Sequence, residues 1–267
     1  MSAAGGGPAR AYVTGASRGI GRAVALALAA DGFDVAVGFA RRESDARAVA
    51  DEIEQLGRRA VLVGGDAGAV PAALVDRAAD ALGGGLDAFV ACAGEPVQGP
   101  IQALTAEDFD RAMRVNARGV VLGAIAAAAR MEDGRGRIVA VSSTGTHVVR
   151  NRRYAPLALA KGAVEAAVRF LAVELAERGI LINVVAPGPT ATAAFDAMAG
   201  GEGDRTTRAF RGAHAHGPHG DARRRRSADR VPVFTRRGLD HRPARLRRRR
   251  LHARVRPISQ TAPARPA

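Results

Sequence analysis

Residues 14–21 read TGASRGIG, directly after the apolar run Ala11-Tyr12-Val13 and directly before the helix-periodic stretch GRAVALALAADG. Strand, glycine turn and helix in that order open a βαβ unit. Glycines let the chain turn tightly and approach a ligand with its backbone, and the free N–H groups and dipole of the following helix favour an anion there. In an open parallel sheet that anion is a pyrophosphate. Thr14, Gly15, Ser17, Arg18, Gly19, Ile20 and Gly21 are therefore the first candidate binding residues.

Outward from this loop the same alternation continues. The stretches 34–39 (DVAVGF), 60–66 (AVLVGGD), 86–94 (LDAFVACAG), 136–143 (GRIVAVSS) and 180–188 (ILINVVAPG) read as strands. Between them ARAVADEIEQLG, AALVDRAADALGG, the long DFDRAMRVNARGVVLGAIAAAARM and GAVEAAVRFLAVELAERG read as helices, the last ended by Gly179. Apolar strands alternating with amphipathic helices predict an α/β fold: a Rossmann-like, doubly wound parallel sheet of six strands with helices on both faces. The expected division is a flexible N-terminus over 1–9, a dinucleotide-binding domain over 10–195, and an Arg-rich, disordered tail over 196–267 in which no further strand is readable.

The chain has 267 residues, enough for one α/β domain with a substantial core. One Cys excludes an intramolecular disulfide and fits a reducing compartment, so a cytoplasmic protein is expected. The opening MSAAGGGPAR has no basic segment followed by an apolar run, and no uninterrupted apolar stretch reaches about 18 residues, so no membrane partner is expected. No metal site is read. The net charge of +14 suggests nucleic acid until it is divided along the chain. Residues 1–200 hold 21 basic and 21 acidic side chains, whereas 201–267 hold 19 Arg against 5 acids. That tail has almost no aromatic residues for stacking and no Lys, which argues against nucleic acid as a partner.

With its TGxxxGxG spacing, the chain resembles the short-chain dehydrogenases/reductases over roughly residues 10–195. The resemblance implies that Asp66 in GGDAG bonds an adenine. Asn116 in VNARG would be the helix asparagine of the active site, and Ser143 the serine that closes a strand. PGPTAT at 187–192 would cover a nicotinamide, which adds Pro187, Gly188, Thr190 and Thr192 to the cofactor set. ACAG at 91–94 stands where the family writes NNAG: Ala91 and Cys92 replace both amides, while Ala93 and Gly94 remain beside the cofactor. Where an NAD enzyme places a carboxylate against the ribose 2'-hydroxyl, Phe39 stands instead, followed by Arg41 and Arg42, with Arg18 inside the glycine loop. Arg forks match a 2'-phosphate, so NADP(H) is the expected cofactor.

Lys161 is the only lysine in the chain and closes YAPLALAK, residues 154–161. A site that needs a compact ammonium able to tune a neighbour's proton affinity cannot accept Arg. In most of the family Tyr stands four residues before Lys; here Ala158 lies four after Tyr154 and Leu157 four before Lys161, so the common motif is absent. Seven residues span two helical turns, about 10 Å along the axis instead of about 6 Å. Such a gap suits reduction of an enoyl thioester, in which the charge develops on a thioester oxygen remote from the attacked carbon. Tyr-x6-Lys resembles the enoyl-acyl-carrier-protein reductases, the type III enzymes in particular, and enoyl-CoA reductases. That resemblance implies that Tyr154 polarises the thioester oxygen, Lys161 binds the nicotinamide ribose and assists Tyr154, and Ser143 orients substrate. Pro156 disfavours helix at Ala155 and so places Tyr154 just before the helix. Ser143 precedes Tyr154 by eleven residues, which also sets this tyrosine early. Tyr12 lies on the first strand and is expected in the core.

The expected activity is NADPH-dependent reduction of the C=C bond of an enoyl thioester, carried on acyl-carrier protein or CoA, in fatty-acid or secondary-metabolite biosynthesis. One alternative is a 3-oxoacyl or carbonyl reductase of the same family; another is an inactive NADP-binding remnant with a nucleic-acid-binding tail. A homo-oligomer is implied by the resemblance, with the altered tail acting against it. Arg codons read from their second base become Gly, Asp, Val or Ala codons. Shifted in this way, His214 to Arg226 permits TPMGRMATPDDVA, and Asp240 to Leu251 permits TTGQ, three free positions and VDGGF, the usual C-terminal wording of the family. The tail is thus expected to be a frame-shifted reading that begins between about Phe195 and His214. By resemblance, it has lost a last strand, an acyl-binding lid and an oligomer interface.

Overall fold

In the computed structural model, residues 7–149, 151–188, 190 and 192 are described. Six parallel strands form one sheet in the order β3-β2-β1-β4-β5-β6, with β1 Ala9–Thr14, β2 Phe33–Phe39, β3 Ala60–Gly64, β4 Ala88–Ala91, β5 Arg137–Val141 and β6 Leu181–Val185. The helices are α1 Gly19–Ala30, α2 Glu43–Gln55, α3 Pro71–Ala81, α4 Ala106–Met113, α5 Gly119–Ala129 and α6 Ala155–Ala176. This is the doubly wound order expected from the sequence. The order reverses between β1 and β4, which leaves a crevice at the carboxyl ends of those strands. The predicted tail and its missing strand lie outside the described residues.

Alternation along each strand divides the core in two. Tyr12, Ala36, Phe89 and Ile138 point to one face and pack with Leu74 of α3, Val120 and Ala124 of α5, and Val164 and Leu171 of α6. Their neighbours Ala11, Val13, Val35, Val37, Val90 and Val139 point to the other face, against Leu28 of α1 and Val49 and Ile53 of α2. In α2 the buried positions Ala46, Val49, Ala50 and Ile53 repeat at i, i+3, i+4 and i+7, the stripe that docks a helix on a sheet. Each fully buried Leu, Ile or Phe contributes about 1.5–3 kcal/mol. Tyr12 is enclosed beside Phe89, ring centroids 5.6 Å apart, and burial holds its phenol well above the usual range.

Two expected helices differ in detail. The long helix read from 108 to 131 is interrupted: Arg114–Arg118 form a π-helical turn between α4 and α5. Asn116 sits in that turn and donates its side-chain amide to Ala112 O at 3.1 Å, competing for a carbonyl that the straight helix would use for a backbone N–H. The combined run Ala106–Ala129 is long and apolar enough to cross a membrane by length and composition. Half of its most apolar window is buried, however, and α5 packs on α3 and the sheet as a core helix does. The last helix begins at Ala155, against the expectation that Pro156 would disfavour helix there; Pro156 falls in the first turn, where its missing N–H costs no hydrogen bond, and Tyr154 still precedes the helix.

Candidate active site

The glycine loop joins the end of β1 to α1. Thr14 is buried, and its hydroxyl oxygen accepts the Ala93 N–H at 3.0 Å, which ties the loop to the segment after β4. Gly15 has φ 63°, and a Cβ there would stand 2.9 Å from Ala93 Cα; at Gly21 a Cβ would stand 2.3 Å from the Gly15 carbonyl oxygen. Both positions must be glycine for β1, α1 and β4 to meet. The first turn of α1 has neither a side-chain cap nor an acid, so its N–H groups remain for a ligand. Ser17 and Ile20 are half-buried, Arg18 is exposed, and Gly19 has φ 56°. An uncapped helix start behind a loop with no room for side chains fits a dinucleotide pyrophosphate.

At the end of β2, Phe39 lies over Gly64, where a Cβ would meet its ring at 2.9 Å, so no carboxylate occupies that position. Arg41 and Arg42 are exposed; Arg42 pairs with Asp45 at 3.3 Å, while Arg18 and Arg41 have no carboxylate partner among the described residues. Asp66 follows β3. Burial favours its neutral form, but a hydrogen bond from Arg114 and the N–H groups of Gly68 and Ala69 outweigh this and hold the carboxyl below its usual range.

Lys161 lies on α6 at 6% exposure and donates from Nζ to Val141 O at 2.8 Å. Burial pushes its ammonium down to about 8, opposed by the neighbouring Cys92 thiol. Cys92 is half-buried as a residue, yet its thiol is enclosed and pushed up to about 12, with Lys161 opposing. Tyr154 is half-buried and precedes the first residue of α6; its N–H donates to Asn151 O at 3.1 Å and its backbone bridges Gly99. Its place at the helix entrance is the one Pro156 implied. Ser143 stands two residues past β5; its Oγ accepts the Gly145 N–H at 3.2 Å, and its carbonyl lies 2.8 Å from Thr146 Oγ1.

Asn116 is fully buried, and its amide is committed to structure. Its Oδ1 accepts the Glu95 N–H at 3.1 Å, and Nδ2 donates to Glu95 O at 3.0 Å and to Ala112 O. It therefore fastens the π turn to the loop after β4 and has no N–H left for a substrate. Gly94 lies beside it, where a Cβ would stand 2.9 Å from Asn116 Oδ1. Pro187, Gly188, Thr190 and Thr192 follow β6; Thr190 Oγ1 donates to Gly188 O at 3.0 Å, and a Cβ at Gly19 would stand 3.4 Å from the Thr192 methyl. The segment after β6 thus reaches the glycine loop, and the crevice is bounded by β1, β4, β5, β6 and α6.

A family profile described as short chain dehydrogenase matches residues 9–202. The chain belongs to the short-chain dehydrogenase family. It is an oxidoreductase by that membership. It is 38% identical over 187 residues to versicolorin reductase stcU of Emericella nidulans, covering 69% of this chain and 70% of that protein. To the hydroxynaphthalene reductase-like protein Arp2 of Metarhizium brunneum it is 38% identical over 191 residues, 71% of each chain. Among solved structures, a short chain dehydrogenase of Burkholderia cenocepacia J2315 in complex with NADP has TM-score 0.67 and 41% identity, covering 70% of this chain and 76% of that one. Angucycline C-6 ketoreductase LanV with bound NADP has TM-score 0.64 and 37% identity, covering 69% and 74%. Two of these relatives are named as reductases or reductase-like, and one, LanV, as a ketoreductase.

In this dehydrogenase two residues of the site escape a reading of the sequence. Cys92 stands there only as a lost amide, although it neighbours the Lys161 ammonium. Glu165 stands there as one more helix residue. Its carboxylate accepts the hydroxyls of Ser142 and Thr146. The available signal was an acid one helical turn after Lys161, on the side of α6 that faces the sheet.

Proposed function

We propose that this dehydrogenase is an NADPH-dependent carbonyl reductase acting on a ketone of a polyketide-type aromatic or 3-oxoacyl substrate. The observation that carries the reading is the single lysine, buried on α6 against the end of β5, at the end of the sheet that also holds an uncapped α1 start and the serine after β5. The names and titles of the relatives, among them a hydroxynaphthalene reductase-like protein and an angucycline C-6 ketoreductase, support a ketone over the enoyl thioester that the spacing implied. NADP in the solved structures of two relatives supports the cofactor, as do the exposed Arg18 and Arg41, which have no carboxylate partner among the described residues.

When bound, NADPH supplies a hydride to the carbonyl carbon. The α1 N–H groups with Arg18 and Arg41 would hold its phosphates, and Lys161 would hold the nicotinamide ribose. Ser143 Oγ hydrogen-bonds the substrate oxygen, and Tyr154 delivers a proton to that oxygen, so that an alcohol leaves. Lys161 keeps the tyrosine's proton available by its positive charge. A second reading, reduction of an enoyl thioester on acyl-carrier protein or CoA, rests on the seven residues between Tyr154 and Lys161. The reductase domain is taken as residues 10–195, working in the cytoplasm as a homo-oligomer, with 196–267 a frame-shifted reading; the end of the family match at residue 202 supports that boundary.

NADPH oxidation measured against a polycyclic ketone, a 3-oxoacyl thioester and an enoyl thioester separates the readings. Turnover of a ketone is expected, with Tyr154→Phe lowering kcat by about 10²–10⁴-fold. Turnover of the enoyl thioester alone establishes the second reading, and equal rates in wild type, Tyr154→Phe and Lys161→Met remove both.

A further inference from the structure

The segment that carries Ser143 is held from α6 by two side chains one turn apart. Lys161 Nζ donates to Val141 O at 2.8 Å, and Glu165, four residues further along the same helix face, accepts the hydroxyl of the next residue, Ser142. The same oxygen of Glu165, Oε1, lies 2.8 Å from Thr146 Oγ1, whose one proton is shared with Ser143 O at 2.8 Å. The other oxygen, Oε2, lies 3.3 Å from Nε2 of the exposed His147. The Glu165 side chain is 13% exposed and Ser142 is buried.

We propose that Glu165 is a positioning residue for Ser143: one carboxylate oxygen clasps Ser142 and Thr146 on either side of it and so fixes the direction of the Ser143 hydroxyl. This rests on the reading of Ser143 as a group that touches substrate. The backbone at Ser143 is extended, φ −151° and ψ 144°, so adjacent side chains point to opposite faces. Anchoring Ser142 toward α6 therefore turns Ser143 away from it. Burial alone would favour a neutral carboxyl, but the two hydroxyls, His147 and Arg169 hold Glu165 below the usual range, so it stays an anion. An ionised carboxylate only accepts hydrogen bonds, which makes Ser142 the donor in every copy. An apolar residue here, with no acceptor for either hydroxyl, would let the 142–147 segment choose among several hydrogen-bonding patterns.

Glu165→Gln keeps an acceptor oxygen for both hydroxyls, and Glu165→Ala removes it. Hydrogen exchange on the full chain is expected to show the amides of Gly145, Thr146 and His147 exchanging about tenfold faster in Glu165→Ala, the loss of roughly one hydrogen bond, and unchanged in Glu165→Gln. NADPH affinity is expected to stay within about threefold in both. Turnover is expected to show kcat lowered by about tenfold or more at unchanged KM in Glu165→Ala and restored in Glu165→Gln, because only orientation in the transition state is lost. If Glu165→Ala loosens the whole sheet, including the amides of Phe89 and Val90, Ser142→Ala combined with Thr146→Val takes its place, with the same expectation. Unchanged exchange at 145–147, or Glu165→Gln as impaired as Glu165→Ala, overturns the proposal. Exchange behaving as expected while wild type reduces no carbonyl and no thioester shows instead that the catalytic reading is wrong and that the clasp is structural, which also overturns the positioning role.

Discussion

Lys161 carries an ammonium enclosed at 6% exposure with one carbonyl for a partner, and two measurements follow from that. Its value is about 8 against 10.5 for an ordinary lysine. Because kcat/KM reports ionisations of the free enzyme, it is expected to fall as pH rises through about 8. Stability moves the opposite way. Between about 8 and 10.5 an unfolded chain keeps a proton that the folded chain has released, so folding becomes more favourable as pH rises in that window. Below it the cost of burying the charge is present in full. Cys92 and Tyr12, both raised by burial, oppose this trend, so the informative quantity is the stability difference between wild type and Lys161→Met. Denaturant titrations at pH 7.5 and pH 10 are expected to show that difference shifting toward wild type at the higher pH. A constant difference would mean that the lysine is solvated.

The glycine loop is the element in which local sequence and tertiary structure agree best. Gly21→Ala would drive a methyl into the Gly15 carbonyl oxygen, and its expected effect is a loss of about 1–3 kcal/mol together with most of the NADPH affinity. At Gly162 on α6 an added Cβ would meet no atom within 4 Å, so Gly162→Ala is expected to raise the melting temperature through helix propensity, about 0.5–1 kcal/mol. Thermal melts of both variants check the contrast. Strand–turn–helix order was legible at 14–21 because turn chemistry and periodicity are local properties. The π turn at 114–118 was not, since the apolar pattern of VNARGVVLGA runs straight through it. What opens the helix is the buried amide of Asn116 reaching Glu95, a partner 21 residues away.

At the scale of the whole molecule, β6 is the last strand of the sheet among the described residues. On the outer side of the helical layer, Phe170 and Val173 of α6 are 72% and 74% exposed, and Leu122 and Ile125 of α5 are also exposed. A strand edge with no partner among the described residues and apolar helix faces favour association. A chain in which the frame is restored from about residue 195 is expected to melt several degrees higher, as an additional stabilisation of about 1–2 kcal/mol requires, and to elute as one defined oligomer. The present chain is expected to elute heterogeneously, with Phe170→Glu reducing the largest species. Identical melting temperatures and elution profiles for the two chains would remove the frame-shift reading of the tail, as would codons that do not spell the family wording when shifted.

By itself the sequence determined the order of strands and helices, the phosphate loop, the arginines at the end of β2 and the singular lysine. Each is written in neighbouring residues, through periods of two and 3.6 and through the chemistry of Gly, Pro and Arg. Tyr12 in the core and Tyr154 at the entrance of α6 were also legible, the second through Pro156, and only the tertiary structure decided that Phe89 is the ring against Tyr12. It alone committed the Asn116 amide to Glu95, set Cys92 beside Lys161, and closed the Glu165 carboxylate on Ser142 and Thr146. Those pairs join residues that the chain separates by 19 to 77 positions and that the parallel register brings together, and no local pattern encodes a distance across a sheet.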